Sequence, residues 1–434
     1  VLENNLLSEL NHLDTTSLSV HGQYEVDDEA EIVELTQGYS KDHRPDLKQA
    51  VLSLVVNGPA SIPLWMEPLD GNSSDKTSFH ETIKQVLEFK QQIKLAQDFR
   101  WIADSALYSQ EHLLKTSHYR WVCRVPETVK PAKELVGRPA VEFTWQAHDK
   151  GYQTATFSSN YGGQPQRWLL VFSEQAYARE KKTLDKKLAK QEQALTKALW
   201  HLGNEQFNCQ QDAVKAIGRI QKQYPLHTIT HQCEAIERYA KRGKPKADDT
   251  KQIKGYQVKA HPERNTSAIE PLLLSKGRFI LATNDLNYDT YPDAQLLEDY
   301  KNQQGVERGF RFLKDPWFMV DSIFLKLPRR IEALMMVMTL CLMVYNIAQY
   351  RLRQTLKEKD ETLPNQLGKP VQNPTVRWLF QCMEGINIVY LQSDKATKAL
   401  ITGLTPLRKN IIRLFGPTAC RLYGLIIENT AGGL

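Results

Sequence analysis

The run "HLDTTSLSV", His12 to Val20, has the β-branched, alternating character of a β-strand, yet it carries an aspartate, Asp14, near its start. A carboxylate inside an apolar strand is unfavourable unless something compensates it, and a divalent cation is an efficient compensator. Whatever fold this chain adopts has to bring that compensation to position 14. Two more acids occupy distinctive places: Asp104 at the end of "WIADSALY", and Glu307 within "YKNQQGVERGFRFLK", Tyr300 to Lys314. Each also has a local explanation. Asp14 beside its threonines reads as a hydrogen-bonded strand end, Asp104 before Ser105 as an N-cap, and Glu307 as the i, i+4 partner of Arg311.

Around Asp14 the pattern alternates between strand and helix. "SIPLWMEPL", "FRWIADSALY" and "YRWVCRVP" read as further strands. "KTSFHETIKQVLEFKQQI" places Phe79, Ile83, Val86, Leu87 and Ile93 where a helix packs on a sheet. That alternation predicts an α/β layer structure. From 127 to 175 the regularity breaks into short strand-like pieces, "AVEFTWQA" and "YQTATFSS", around the turn-rich "YGGQPQ". From Ala178, Leu184, Leu188, Leu195, Leu199 and Leu202 mark a helix with a basic back, which suits a solvated face or a nucleic-acid contact equally. "GRFILATND" returns to strand character. "KEKDETLPNQLGKPVQNP" reads as a polar linker, and "NPTVRWLFQCMEG" as a helix with Asn373 at its N-cap and Pro374 at its first position.

Composition narrows the class. With 434 residues, 41% of them hydrophobic, the chain has material for a large core and more than one structural unit. A formal charge of +6 permits a polyanionic partner without demanding one. The six cysteines are scattered and form no CxxC pair, which predicts reduced thiols in a cytoplasm and no zinc. The longest apolar run, Ala333 to Ala348, is short for a membrane span and predicts a buried helix, with no membrane partner. The chain begins with Val1 rather than Met, so an upstream portion is expected.

Read as one continuous helix, Tyr300 to Lys314 puts Tyr300, Gln303, Glu307 and Lys314 on one stripe, with Val306, Phe310 and Leu313 on a neighbouring apolar one. Three acids suffice to hold two Mg²⁺ ions, which prefer oxygen ligands and, when paired, serve phosphodiester cleavage. Such chemistry needs bases for phosphate. Lys314 and the loop "GYSKDHRPDLKQ", with Lys41, His43, Arg44 and Lys48, offer them.

Strand acid, strand-end acid and helix acid in that chain order match the ribonuclease H-like layout. With "HLDTTSLSV", "GYSKDHRPDLKQ", "PLDGNSSD", "IADSALYS" and "FILATND", the chain resembles bacterial insertion-sequence transposases of the DDE class. Within that class it resembles those with a Y-(2)-R-(3)-E-(6)-K signature: Tyr300, Glu307 and Lys314 match it, and Gln303 stands where the family has arginine. The resemblance runs from about Leu10 to the C-terminus. It implies a ribonuclease H-like core, a mixed sheet flanked by helices, interrupted by an insertion domain and followed by C-terminal helices. The expected segments are 1–126 and 276–350 for the core, 127–275 for the insertion, and 351–434 for the linker and C-terminal helical region.

By the same resemblance, Asp14, Asp104 and Glu307 form a catalytic triad holding two Mg²⁺, with Mn²⁺ able to substitute. Tyr300, Gln303, Lys314, Lys41, His43 and Arg44 contact DNA. The expected activity is cleavage at transposon ends, then strand transfer into target DNA, by a homodimer in the synaptic complex, in the bacterial cytoplasm at the nucleoid. Some relatives form a DNA hairpin with a base held on an aromatic; Trp145, Trp168 and Trp200 are open candidates, though core packing is the preferred reading of each. A nuclease on the same fold and a catalytically silent DNA-binding remnant are the competing readings.

Overall fold

A computed structural model describes residues 6–24, 32–95, 98–239, 250–316, 323, 325–393 and 396–425. The chain opens with β1 Leu10–Val20, β2 Lys48–Asn57, β3 Ile62–Leu69, α1 Asp75–Gln92, β4 Arg100–Ala103, the short α2 Gln110–Leu113 and β5 Arg120–Arg124. Next come α3 Lys130–Val136, β6 Gln146–His148, β7 Tyr152–Ser159, β8 Gln166–Ser173, α4 Glu174–Gly203, α5 Gln210–Gln223, β9 His227–Tyr239, β10 Lys251–Arg264, α6 Thr266–Leu274 and β11 Arg278–Thr283. The last part holds α7 Asp293–Lys301, α8 Gln304–Leu313, α9 Pro328–Glu358, β12 Leu363–Pro364, β13 Pro370–Val371, α10 Val376–Met383, β14 Asn387–Ser393, β15 Ala396–Thr402, α11 Pro406–Leu414 and α12 Pro417–Leu422. Two compact units result: Val1–Cys123 with Leu296–Leu434, and Arg124–Gln295.

In the first unit the strand order is β3-β2-β1-β4-β5. β1 runs antiparallel to β2 and β2 to β3, whereas β4 is parallel to both β1 and β5. That sheet is mixed and is flanked by helices, the layout expected of the core. β2 escapes sequence reasoning because "QAVLSLVVN" is buried at every position and lacks the alternation of a half-exposed strand. Leu18 and Val20 of β1 and Leu52 and Leu54 of β2 form one core cluster with Val306, Phe310 and Leu313 of α8 and Ile331, Met335 and Leu342 of α9. Each such side chain contributes about 1.5–3 kcal/mol by leaving water, which clamps α8 to the sheet.

The structure corrects the continuous helix expected from Tyr300 to Lys314. α7 ends at Lys301 and α8 begins at Gln304. Between them Gln303, Gly305 and Val306 donate to carbonyls three residues back, a tighter winding. That turn shifts the helical phase between Tyr300 and Glu307. The apolar run of α9 is only half buried: Ile331, Met335, Met338 and Leu342 face the core, while Met336, Val337, Leu340 and Val344 are exposed. By length and composition alone α9 could cross a membrane; its buried face is part of the core just described. Thr375, not Asn373, caps α10, its hydroxyl accepting from the Trp378 N–H. The stretch read as a linker also holds the small hairpin of β12 and β13.

The second unit has the antiparallel order β11-β8-β7-β6. "GRFILATND" supplies β11, which pairs with β8 along Arg278–Thr283 and belongs with this unit. "AVEFTWQA" is not a single strand: Ala140–Glu142 is a 3-10 turn and only Gln146–His148 pairs. Phe143 and Trp145 instead pack edge to face, 5.3 Å between ring centres. Leu195, Leu199 and Leu202 of α4 bury against Ala213 and Ile217 of α5, and against Ile229 and Val258 of the long β9–β10 hairpin. Of the aromatic candidates, Trp168 is buried, Trp145 donates to the Ala140 carbonyl, and Trp200 is exposed.

Candidate functional site

Parallel pairing of β1 with β4 sets Leu10 opposite Arg100, Asn11 opposite Trp101 and His12 opposite Ile102. Two residues further along both chains the same register puts Asp14 level with Asp104. Neighbouring strands lie about 4.8 Å apart, and the Asp104 charge acts on the Asp14 carboxyl. Asp104 follows the last residue of β4, and its Oδ1 accepts from the Ala106 N–H at 2.8 Å. Asp14 Oδ1 accepts from the Thr15 N–H at 2.8 Å. The N-cap reading of Asp104 is fulfilled, whereas Asp14 is hydrogen-bonded locally but lies inside β1 rather than at its end.

Their environment resists charge. Burial pushes the Asp14 carboxyl from 3.8 up to about 6; the Lys41 ammonium and the Thr15 N–H pull it down, and the charges of Asp104 and Asp75 push it up again. Asp104 is raised too, by burial first, with the Ala106 N–H opposing and the Asp75 charge adding. Two adjacent carboxylates that bind protons this readily are a site short of positive charge.

The chain supplies part of that charge through Lys41, on the loop between β1 and β2. Its Nζ donates to the Thr15 carbonyl at 2.8 Å and the Thr15 hydroxyl at 2.7 Å, and lies 3.1 Å from Asp75 and 3.7 Å from Asp14. The Thr15 hydroxyl donates onward to Asp75 at 2.5 Å. Asp75, the first residue of α1, is a third acid of the cluster, which sequence reasoning missed. Its only signal was its place at the end of the block "PLDGNSSD". Gly71 within that block lets the two loops meet: a Cβ there would stand 2.1 Å from the Gln49 carbonyl and 2.4 Å from that of Thr36.

Glu307 is placed differently. Gly309, two residues on, lets α8 lie close to the sheet, since a Cβ there would reach Leu342 at 3.0 Å and Leu54, the register partner of Asp14, at 3.9 Å. The Glu307 side chain itself is 55% exposed and lies 3.7 Å from Arg311, one turn along the helix. The structure thus brings Asp14 and Asp104 together and leaves the Glu307 carboxylate turned to Arg311. Among the described residues no three His, Cys, Asp or Glu side chains are arranged to hold a metal ion.

The candidate DNA contacts are largely engaged within the chain. Lys314 Nζ donates to Asp42 at 2.7 Å, and Arg44 binds Asp46 through two bonds of 2.9 and 2.7 Å. His43 is exposed in a left-handed turn, with φ of 58°. Gln303 is half-buried at the N-cap of α8 without capping it by its side chain, and Tyr300 is half-buried on α7.

Comparison with known proteins places this arrangement. A search of curated proteins finds no match to the chain. Among solved structures, a piggyBac transposase synaptic complex with hairpin DNA is similar at 9% identity and a TM-score of 0.37, covering 98% of this chain. The chain spans 59% of the length of that transposase chain. The family model of the transposase DDE domain matches residues 9–346, which include Asp14, Asp104 and Glu307. The chain belongs to the transposase DDE domain family.

Proposed function

We propose that the chain is a DNA transposase that cuts the ends of an insertion sequence and joins them to target DNA. The observation that carries this reading is the juxtaposition of Asp14 and Asp104 on neighbouring parallel strands, in a chain of the transposase DDE domain family. The donor set fits Mg²⁺: carboxylate oxygens are hard ligands, and the proton affinity of both acids marks a place that favours a cation. Asp14, Asp104 and Glu307 would hold two ions, Mg²⁺ or Mn²⁺. Bound there, the ions would activate the attacking oxygen and neutralise charge on the leaving one.

The chain's own groups do the rest. Sheet register fixes Asp14 and Asp104. Glu307 would have to exchange its Arg311 contact for the site, on a helix clamped to the sheet. Hydrolysis breaks a P–O3′ bond and leaves a 3′-hydroxyl; in strand transfer that hydroxyl forms a new P–O bond in the target as another P–O3′ bond breaks. Lys41, His43, Arg44, Tyr300, Gln303 and Lys314 would orient the strands through their phosphates, with Lys314 leaving Asp42 and Arg44 leaving Asp46. The core would comprise 1–126 and 276–350, with 127–275 inserted and 351–434 appended; the compact unit Arg124–Gln295 supports an insertion. The protein would act as a homodimer on two transposon ends, in the cytoplasm at the nucleoid.

The test is a strand-transfer assay with pre-cut duplex ends and Mg²⁺. Asp14→Ala, Asp104→Ala and Glu307→Ala should each lose cleavage and joining while duplex binding persists. A variant that cuts at the wild-type rate removes its residue from the triad. Cutting without joining by the wild type would replace the transposase reading with that of a nuclease.

A further inference from the structure

A cleft of about 540 Å³ opens in the first unit between α8, α9 and the start of α10. Its charge is one-sided: Arg308 and Arg311 of α8, Arg353 and Lys357 of α9 and Arg377 of α10 line it, against the single carboxylate of Asp315. That carboxylate is already committed to Arg377, at 2.6 Å from Nε and 3.4 Å from Nη2. Arg353 is half-buried and donates to the carbonyls of Pro374 at 3.0 Å and Asn373 at 3.3 Å, which fix its guanidinium without neutralising it. Burial first, and then the like charge of Arg308, push the Arg353 pKa down.

Holding like charges this close is unfavourable, and an anion between them relieves it. The guanidinium fork matches phosphate oxygens two at a time. Arg308 and Arg311 sit three apart on α8, and Arg353 and Lys357 four apart on α9, so each helix presents its two cations on one face. An elongated anion fits two facing rows of cations better than a compact one. Arg311 also touches Glu307 at 3.7 Å, so the cleft begins where the acid of α8 stands.

We propose that this cleft seats the phosphodiester backbone of DNA leading to or from the cleaved phosphate. The proposal rests on the transposase reading and assigns that reading a second, non-catalytic contact surface. Arg308, Arg311, Arg353 and Lys357 hold successive phosphates and carry no sequence preference.

The test is the salt dependence of binding to a labelled duplex, by fluorescence anisotropy, for wild type, the double variant Arg308→Gln with Lys357→Gln, and the charge-keeping pair Arg308→Lys with Lys357→Arg. Both positions are exposed, and an unchanged melting temperature verifies folding. Each lost phosphate contact lowers the slope of log K against log salt by about 0.9, so the neutral variant should show a slope smaller by about 2 and bind at least about tenfold more weakly. The charge-keeping pair should stay near wild type. Wild-type binding with an unchanged slope in the neutral variant overturns the cleft and leaves the transposase reading standing. Absence of duplex binding by the wild type overturns that reading itself. Calorimetric titration with inorganic phosphate separates the other source: saturable phosphate binding lost in the neutral variant, with duplex slope unchanged, assigns the cleft to free phosphate and overturns its assignment to DNA.

Discussion

Replacing Asp14 by asparagine should make the metal-free protein more stable while removing its chemistry. The Asp14 carboxyl titrates at about 6 in the folded chain against 3.8 when freely solvated. At 1.36 kcal/mol per pH unit, that difference corresponds to about 3 kcal/mol at neutral pH. The sign follows from proton uptake. Between 3.8 and about 6 the folded chain binds the proton that the unfolded chain has released, so stability from this group is complete below 3.8 and is lost as pH rises through 6. Asparagine keeps the acceptor for the Thr15 N–H, bonded at 2.8 Å, and cannot ionise. It forfeits the attraction of Lys41 at 3.7 Å, but that ammonium retains Thr15 and Asp75. The net gain above the folded pKa should be about 2 kcal/mol, a rise of about 4–8 °C in melting temperature for a unit of this size. Thermal unfolding of both proteins in chelator, at about pH 7.5 and again at about pH 4, measures it. A variant that melts at or below wild type near neutrality would refute the claim that burial sets the proton affinity of Asp14.

Millimolar Mg²⁺ should raise the melting temperature of wild type near neutral pH, by about 1.4 kcal/mol of stability for each tenfold excess over the dissociation constant, and leave Asp104→Asn unmoved; equal shifts in both would place the ion elsewhere. Gly71→Ala should destabilise by about 3 kcal/mol, because its Cβ would enter the carbonyls of Gln49 and Thr36 at 2.1 and 2.4 Å and those are main-chain atoms. A chemical denaturation midpoint equal to wild type would mean the loops need no such contact. Gln303→Arg should strengthen binding to transposon-end duplex and steepen its salt slope by about 0.9, and an unchanged slope would remove position 303 from the DNA contacts.

What the sequence made legible was what local pattern encodes. β1 was readable from its β-branched residues and the alternation in its sequence, although most of it is buried, and β3 and the helix α1, with its apolar positions at helical spacing, were readable too. β2 was hidden because burial on both faces erases alternation, and β9 and β10 because an extended hairpin carries little apolar periodicity of its own. The break between α7 and α8 was hidden for a different reason. Hydrogen bonds from Gly305 to Asn302 and from Val306 to Gln303 tighten the backbone locally, and the side-chain pattern around them still scans as one helix.

The site was legible to a different degree at each acid. Thr15, Ala106 and Arg311 satisfy Asp14, Asp104 and Glu307 locally, as an isolated segment would. A local partner therefore does not argue against a functional role: for Asp14 and Asp104 it fixes the carboxylate where the strands bring it, and for Glu307 it holds the carboxylate on α8 itself. What no segment contains is the offset between β1 and β4. Shifting that parallel register by one residue would set Asp14 beside Ala103 or Ser105, whose side chains carry no charge, and the cluster with Lys41 and Asp75 would lose an acid. The juxtaposition of Asp14 and Asp104 thus resides in a pairing that needs the intervening β2, β3 and α1 to pack.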